Sequence, residues 1–137
     1  MANLPDDSRP QTDSTSKKAL ATITDHHRDM LSNESGIQPE VIESRGYRTV
    51  TKKFHLKELG FQDTQCCVPA LLIPIHGVHG RIALYQSRPD TPRIKEGKPI
   101  KYETLAGSRM TLDCHPVIRK QLQDPNIPLW ITEGIKK

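Results

Sequence analysis

The first 24 residues, MANLPDDSRPQTDSTSKKALATIT, carry no sustained hydrophobic period and are rich in Ser, Thr, Asp and Pro, so they read as a disordered polar lead. Pattern begins at Asp25, placed to cap a short helix that runs to Leu31. Ser35-Gly36 breaks that helix, and Pro39 suits the first turn of a second one carrying Val41 and Ile42. Gly46 is placed to end it in the left-handed conformation that glycine adopts at little cost. Two short helices around a glycine turn make a helical hairpin. A DNA-reading helix-turn-helix is the alternative, but helices this short offer no basic recognition face.

From Tyr47 onward the pattern turns to strands. CVPALLIPI (67–75) ends in a compact apolar run, and HGVHG (76–80) is a glycine-bounded turn. RIALYQSR (81–88) then alternates, with Ile82 and Leu84 on one face and Ala83 and Tyr85 on the other. Two such runs around a short glycine-containing loop predict an antiparallel hairpin. Residues 89–100 hold three prolines and mixed charge and read as a loop. KYETL (101–105) fits a further short strand, HPVIRKQLQD (115–124) a helix with Pro116 in its first turn, and IPLWIT (127–132) a buried strand. The expected class is α+β, a short helical hairpin followed by a small antiparallel sheet.

Composition limits how much of this can pack. Of 137 residues only 34% are hydrophobic and 4% aromatic, with 11 prolines, which is thin core material for a chain of this length. Charge is unevenly spread. Residues 1–44 hold 4 Lys+Arg against 8 Asp+Glu, and residues 45–137 hold 16 against 8. A basic body behind an acidic lead suits a nucleic-acid or nucleotide partner, and an ordinary solvated surface is the plain alternative. No stretch approaches the roughly 18 apolar residues of a membrane span, and the N-terminus lacks the regions of a secretory signal. Three cysteines, two of them adjacent, form no disulfide framework, so a reduced cytoplasmic protein is expected.

Candidate chemistry is sparse. Cys66, Cys67, His76, His79, Cys114 and His115 are the residues with metal-ligand character, but no CxxC pair is present and adjacent cysteines point to opposite sides of a strand. No glycine-flanked serine, GxxxxGK[ST] or GxGxxG occurs, which removes hydrolase-elbow, P-loop and dinucleotide readings. The stretch from Arg81 to Arg109 is richer. It holds Arg81, Arg88, Arg93, Lys95, Lys98, Lys101 and Arg109, with Tyr85 and Tyr102 interleaved where they can stack on bases. Arg88 ends one strand and Lys101 starts another, so both are candidates for rigidly held phosphate contacts. Glu133, before Gly134 at the end of an apolar run, is a candidate metal-linked carboxylate or general base.

Four segments in this order resemble a known architecture. SGIQPEVIESRGY (35–47), LLIPIHGVHGRIALYQSRP (71–89), KPIKYETLAGS (98–108) and LWITEGIKK (129–137) are similar to the RNA-polymerase domain of bacterial primases of the DnaG type. They are closer to a family of Toprim-like proteins of unknown function from plasmids, phages and other mobile elements, whose members often precede helicase modules. The likeness spans roughly residues 30–137.

The resemblance implies three units: the disordered lead 1–24, a primase-like subdomain 25–124, and the first strand of an incomplete Toprim α/β domain at 125–137. It implies Glu133 as the Toprim glutamate. Arg88, Arg93, Lys101, Tyr102, Arg109 and Lys136 become contacts to single-stranded DNA or nucleotide. Primase-like nucleotidyl transfer would use Mg²⁺, but the chain has no Asp-x-Asp to join Glu133 in holding the ion, so it is expected to be inactive alone. The implied partners are single-stranded nucleic acid, the remainder of the Toprim domain and a helicase; no membrane is implied. The primase asparagine after the Lys-Tyr pair is replaced here by Glu103 and Thr104. A non-catalytic DNA- or protein-interaction module is the second expectation.

Overall fold

The computed structural model describes residues 22–133. Helix α1 (Asp25–Asp29) continues into a wider π-type turn at Met30–Glu34, and α2 spans Pro39–Arg45. Strand β1 (Arg48–Val50) and helix α3 (Lys53–Glu58) follow, with a single 3₁₀ turn at Asp63–Gln65. The long hairpin is β2 (Ala70–His76) and β3 (Ile82–Pro89). Short strands β4 (Ile94–Lys95), β5 (Lys98–Pro99) and β6 (Glu103–Thr104) come next, and a 3₁₀ helix occupies Pro116–Gln121.

The class is α+β. Four strands form an antiparallel sheet in the order β1-β2-β3-β6, and β4 and β5 pair separately. The alternation along β2 explains why both faces of this sheet are covered. Leu71, Ile73 and Ile75 point one way, into a cluster with Ile23, Met30, Leu31, Ile42 and Tyr47 from the first two helical elements. Leu72 points the other way, toward Val50, Leu56, Phe61 and Cys66 around α3. Leu84 and Tyr85, neighbours on β3, divide in the same manner between the two clusters. A continuous apolar run at 70–75 therefore marks a central strand packed on two sides.

Local sequence accounts for the ends of elements. Gly46 sits at φ 75° and ψ 36°, the left-handed stop expected for α2, and Pro39 occupies its first turn. The hairpin turn closes with Gly77 N–H on Arg81 O at 2.8 Å and Gly80 N–H on Gly77 O at 2.9 Å. Gly80, at φ 79°, lies so close to the Arg119 guanidinium that a Cβ would collide with it.

Several expectations need correction. The cap of α1 is Thr24, whose hydroxyl accepts from His27 N–H, and Asp25 is the first helical residue. Order thus starts before residue 25: Ile23 is in the core and Thr22 O accepts from Thr49 N–H. The rest of the polar lead, residues 1–21, lies outside the described residues. The region after Tyr47 contains helix α3 as well as strands, because Leu56 alone anchors it and leaves no visible period. The 89–100 loop contains the β4-β5 ribbon, and KYETL contributes only Glu103–Thr104 to the sheet. The expected helix over 115–124 is a 3₁₀ helix over 116–121.

The largest correction concerns residues 127–132. They form no strand, and Ile127, Leu129, Trp130 and Ile131 are exposed, Trp130 at 90%. An apolar run specifies that burial is favourable, but a strand also needs a neighbouring edge, and Pro128 supplies no donor to a ladder. Among the described residues none pairs with this run.

Candidate nucleic-acid interface

The basic stretch splits once its partners are known. Arg93 is tied to Glu103, a carboxylate only 2% exposed, through Nε on Oε1 and through Nη2 on Oε2 at 3.1 Å. Gln65 Nε2 also donates to Glu103, and to Thr104 O at 2.7 Å. The Glu103 hydrogen bond holds the Arg93 guanidinium even more firmly protonated than usual. Arg93 is thus engaged by the protein itself and has a structural role, whereas the sequence pattern offered it only as a nucleic-acid contact. The sequence places Glu103 ten residues downstream, which hides the pairing.

Arg88 lies differently. It sits at the end of β3 with Nη1 against Met30 Sδ, and its guanidinium carbon stands 5.9 Å from the centre of the Tyr102 ring. Arg88 and Tyr102, 14 positions apart, are thereby brought together across the edge of the sheet. Lys95, Lys98, Lys101 and Arg109 are exposed, and Arg88 is half-buried. None of these five has a carboxylate within 4.0 Å among the described residues. Arg109 borders a shallow groove of about 350 Å³ shared with Leu84, Leu105 and Met110. The result is Arg88 against the Tyr102 ring, Lys101 and Arg109 on either side of β6 along the chain, and Lys95 and Lys98 facing each other across the β4-β5 ribbon, none of them paired with a carboxylate among the described residues.

Glu133 is exposed and is not at the end of a strand. It belongs to no group of three or more His, Cys, Asp or Glu side chains placed to hold an ion among the described residues. Gly134 and Lys136 lie outside them.

The cysteine and histidine candidates are dispersed. Cys66, Cys67 and Cys114 are free thiols, and burial pushes the Cys66 thiol up. His76 Nε2 bonds Arg45 O at 2.9 Å, and His115 Nδ1 accepts from Val117 N–H at 3.1 Å. Burial, with Arg45 and His76 adding to it, holds His115 below the ordinary histidine range. No three of these six residues converge as a ligand group.

Two polar clasps escaped the sequence reading. Arg45, buried at the end of α2, pairs with Asp113, whose other oxygen accepts His76 N–H at 3.0 Å. Cys114 N–H then donates to His76 O at 2.7 Å, pinning the segment after β6 to the end of β2. The Arg45 guanidinium also stands 5.7 Å from the Tyr47 ring; burial pushes the Tyr47 hydroxyl up, and Arg45 partly opposes the shift. The second clasp joins His27, Asp90 and Thr49. It backs a cavity of about 420 Å³ lined by Thr24, Arg48, Thr49, His55, Glu58 and Tyr85 among others. No helix among the described residues is long and apolar enough to cross a membrane. Comparison with protein-family models, curated proteins and solved structures finds no match to this chain.

Proposed function

We propose that this chain is the leading, nucleic-acid-binding part of a Toprim-type, primase-like replication protein of a mobile element. It takes single-stranded DNA or nucleotide through Arg88, Lys101, Tyr102 and the neighbouring Lys95, Lys98 and Arg109. The observation that carries the reading is Arg88 set against the Tyr102 ring, with Lys95, Lys98, Lys101 and Arg109 exposed and none of the five neutralised by a carboxylate among the described residues. Fixed, unpaired cations next to an aromatic ring are what a phosphate backbone with exposed bases requires. The motif resemblance supplies the protein class. Mg²⁺-dependent nucleotidyl transfer belongs in this reading to a complete Toprim site with an Asp-x-Asp, to which this chain brings Glu133. A reduced cytoplasmic setting and a helicase partner go with it, and the three free thiols agree with the setting.

The test is a salt series. Binding of a fluorescent single-stranded oligonucleotide is expected to weaken linearly in log–log form as salt rises, with a slope of about −0.7 per phosphate contacted. Changing Lys98 and Lys101 together to Ala is expected to flatten that slope by about 1.4. Binding without salt dependence, or a slope untouched by these changes, refutes the assignment. A second reading, a protein-interaction module, is favoured by the exposed Leu129-Trp130-Ile131 run. Absence of oligonucleotide binding at low salt would turn the assignment to it.

A further inference from the structure

One cluster of ligand-type side chains lies outside all of these candidates. We infer that His26, His27 and Asp90 bind one divalent transition-metal ion of the zinc class, with a fourth position open to solvent. Their ligand atoms all lie within 4.8 Å of one another, the one such group of three among the described residues. His27 Nε2 is 2.8 Å from Asp90 Oδ1, and His26 Nε2 is 3.9 Å from Asp90 Oδ2. An ion bound at 2.0–2.2 Å in a tetrahedron separates its ligand atoms by about 3.4 Å. The group's limit of 4.8 Å puts all three ligand atoms near that spacing, and the ion draws them together.

The surroundings hold these ligands as a metal site requires. His27 is 1% exposed, and its second nitrogen, Nδ1, is 2.8 Å from Thr49 Oγ1. Thr49 Oγ1 is fixed in turn by Thr24 N–H at 2.9 Å and by Thr24 Oγ1 at 3.1 Å. A ligating histidine is commonly oriented by just such a partner on its other ring nitrogen. Asp90 is set by its backbone N–H on Pro69 O at 3.0 Å. Helix α1, strand β1 and the end of β3 thus each contribute one fixed group. His26 is 67% exposed and faces the carboxylate from the solvent side, which gives the ion a way in.

In its Nε2–H tautomer His27 donates to Asp90 and its Nδ1 accepts the Thr49 hydroxyl. Binding replaces that shared proton with the ion, moves the His27 proton to Nδ1, and lets Thr49 donate to Thr24 Oγ1. The proton that leaves Nε2 is the one gained at Nδ1, so a neutral His27 releases none on binding. Two imidazoles and one carboxylate favour Zn²⁺, Ni²⁺ and Cu²⁺, with Cu²⁺ the tightest by intrinsic affinity, over Mg²⁺ and Ca²⁺, which want oxygen ligands throughout.

The experiment uses the full chain, stripped with a chelator and titrated with ZnCl₂, followed by thermal melts and by Co²⁺ absorption. At a hundredfold excess over Kd, Zn²⁺ is expected to raise Tm by about 5 °C or more, and Mg²⁺ to leave it unchanged. His26→Ala, at an exposed position, retains the parent's metal-free melt and loses zinc affinity by about tenfold or more. Thr49→Val weakens binding by about 10–100-fold through the lost orienting bond. The Co²⁺ complex shows visible bands without the near-ultraviolet band of a thiolate ligand. No zinc-dependent rise in Tm, a rise that survives H26A, or a thiolate band each overturns the proposal.

Discussion

Replacing Asp113 with Asn breaks one buried ion pair from its acidic side. Arg45 is 8% exposed, pairs with Asp113 and donates to Pro74 O at 3.4 Å, while its Nε has no partner. The amide keeps the size of the side chain and an oxygen for His76 N–H, while its NH2 takes the place of the oxygen that accepted from Arg45, so the negative charge and that acceptor are removed together. Breaking a buried pair from one side costs about 3–5 kcal/mol, because the remaining charge stays desolvated. The Asp113 side chain is 23% exposed, which lets water reach part of the guanidinium and puts the expected loss near 3 kcal/mol. Against a total stability of about 5–15 kcal/mol, that is a large fraction. Urea melts followed by circular dichroism should show the midpoint falling by about 1 M or more, given slopes of about 1–3 kcal/mol per molar urea. Arg45→Met combined with Asp113→Asn leaves no buried charge. The double variant is therefore expected to lose less than the sum of the single ones, with a coupling of about 1–3 kcal/mol. Destabilisation by D113N of less than about 0.5 kcal/mol, or strict additivity, would refute the reasoning.

Arg93→Ala and Lys101→Ala should separate structural from available cations. R93A strands the buried Glu103 carboxylate and lowers Tm by several degrees, while K101A leaves the melt unchanged and weakens oligonucleotide binding; the reverse pattern would place Arg93 at the interface. His115, held below the ordinary histidine range by burial, gives stability a definite pH direction. The unfolded chain takes up its proton near pH 6.5 and the folded chain only at lower pH, so stability falls as pH drops through about 6.5. In urea melts at pH 7.5 and 5.5, His115→Asn should shrink the difference between the two midpoints, and an unchanged difference would exclude this origin.

What was legible in the sequence is what depends on neighbours along the chain. The Gly46 stop, Pro39 in a first turn and the β2-β3 hairpin all follow from local conformational preference, and each is present. What depends on distant partners was not legible. Helix α3 is held by Leu56 and Phe61 against Leu72, and α3 itself is too short to display an amphipathic period. The π-type turn at Met30–Glu34 is likewise set by the packing of Met30 and Leu31 and by hydrogen bonds such as Ile37 N–H on Leu31 O, whereas the 3₁₀ helix at Pro116–Gln121 buries no residue and is opened locally by Pro116 and the His115 cap. For residues 127–132 composition and fold part company. Hydrophobicity there marks a surface in want of a partner, and within the described residues nothing meets it.

The same division governs the candidate sites. Counting Lys and Arg between positions 81 and 109 treats every cation alike, yet a cation paired with a buried carboxylate has already exchanged its hydration for a protein partner. Binding a phosphate there would mean breaking the first pair and leaving Glu103 desolvated. Lys101 and Lys98 carry no such penalty, and Arg88, packed against Met30 and Tyr102, keeps its charge without a carboxylate. Which basic residues can serve a ligand is therefore decided by where the acids fold, and only the tertiary structure supplies that. The histidines follow the same logic in reverse. His26 and His27 look like two polar residues of a short helix until β3 brings Asp90 to them from 63 positions away. Long-range placement of a carboxylate removes Arg93 from one candidate site and creates another at α1.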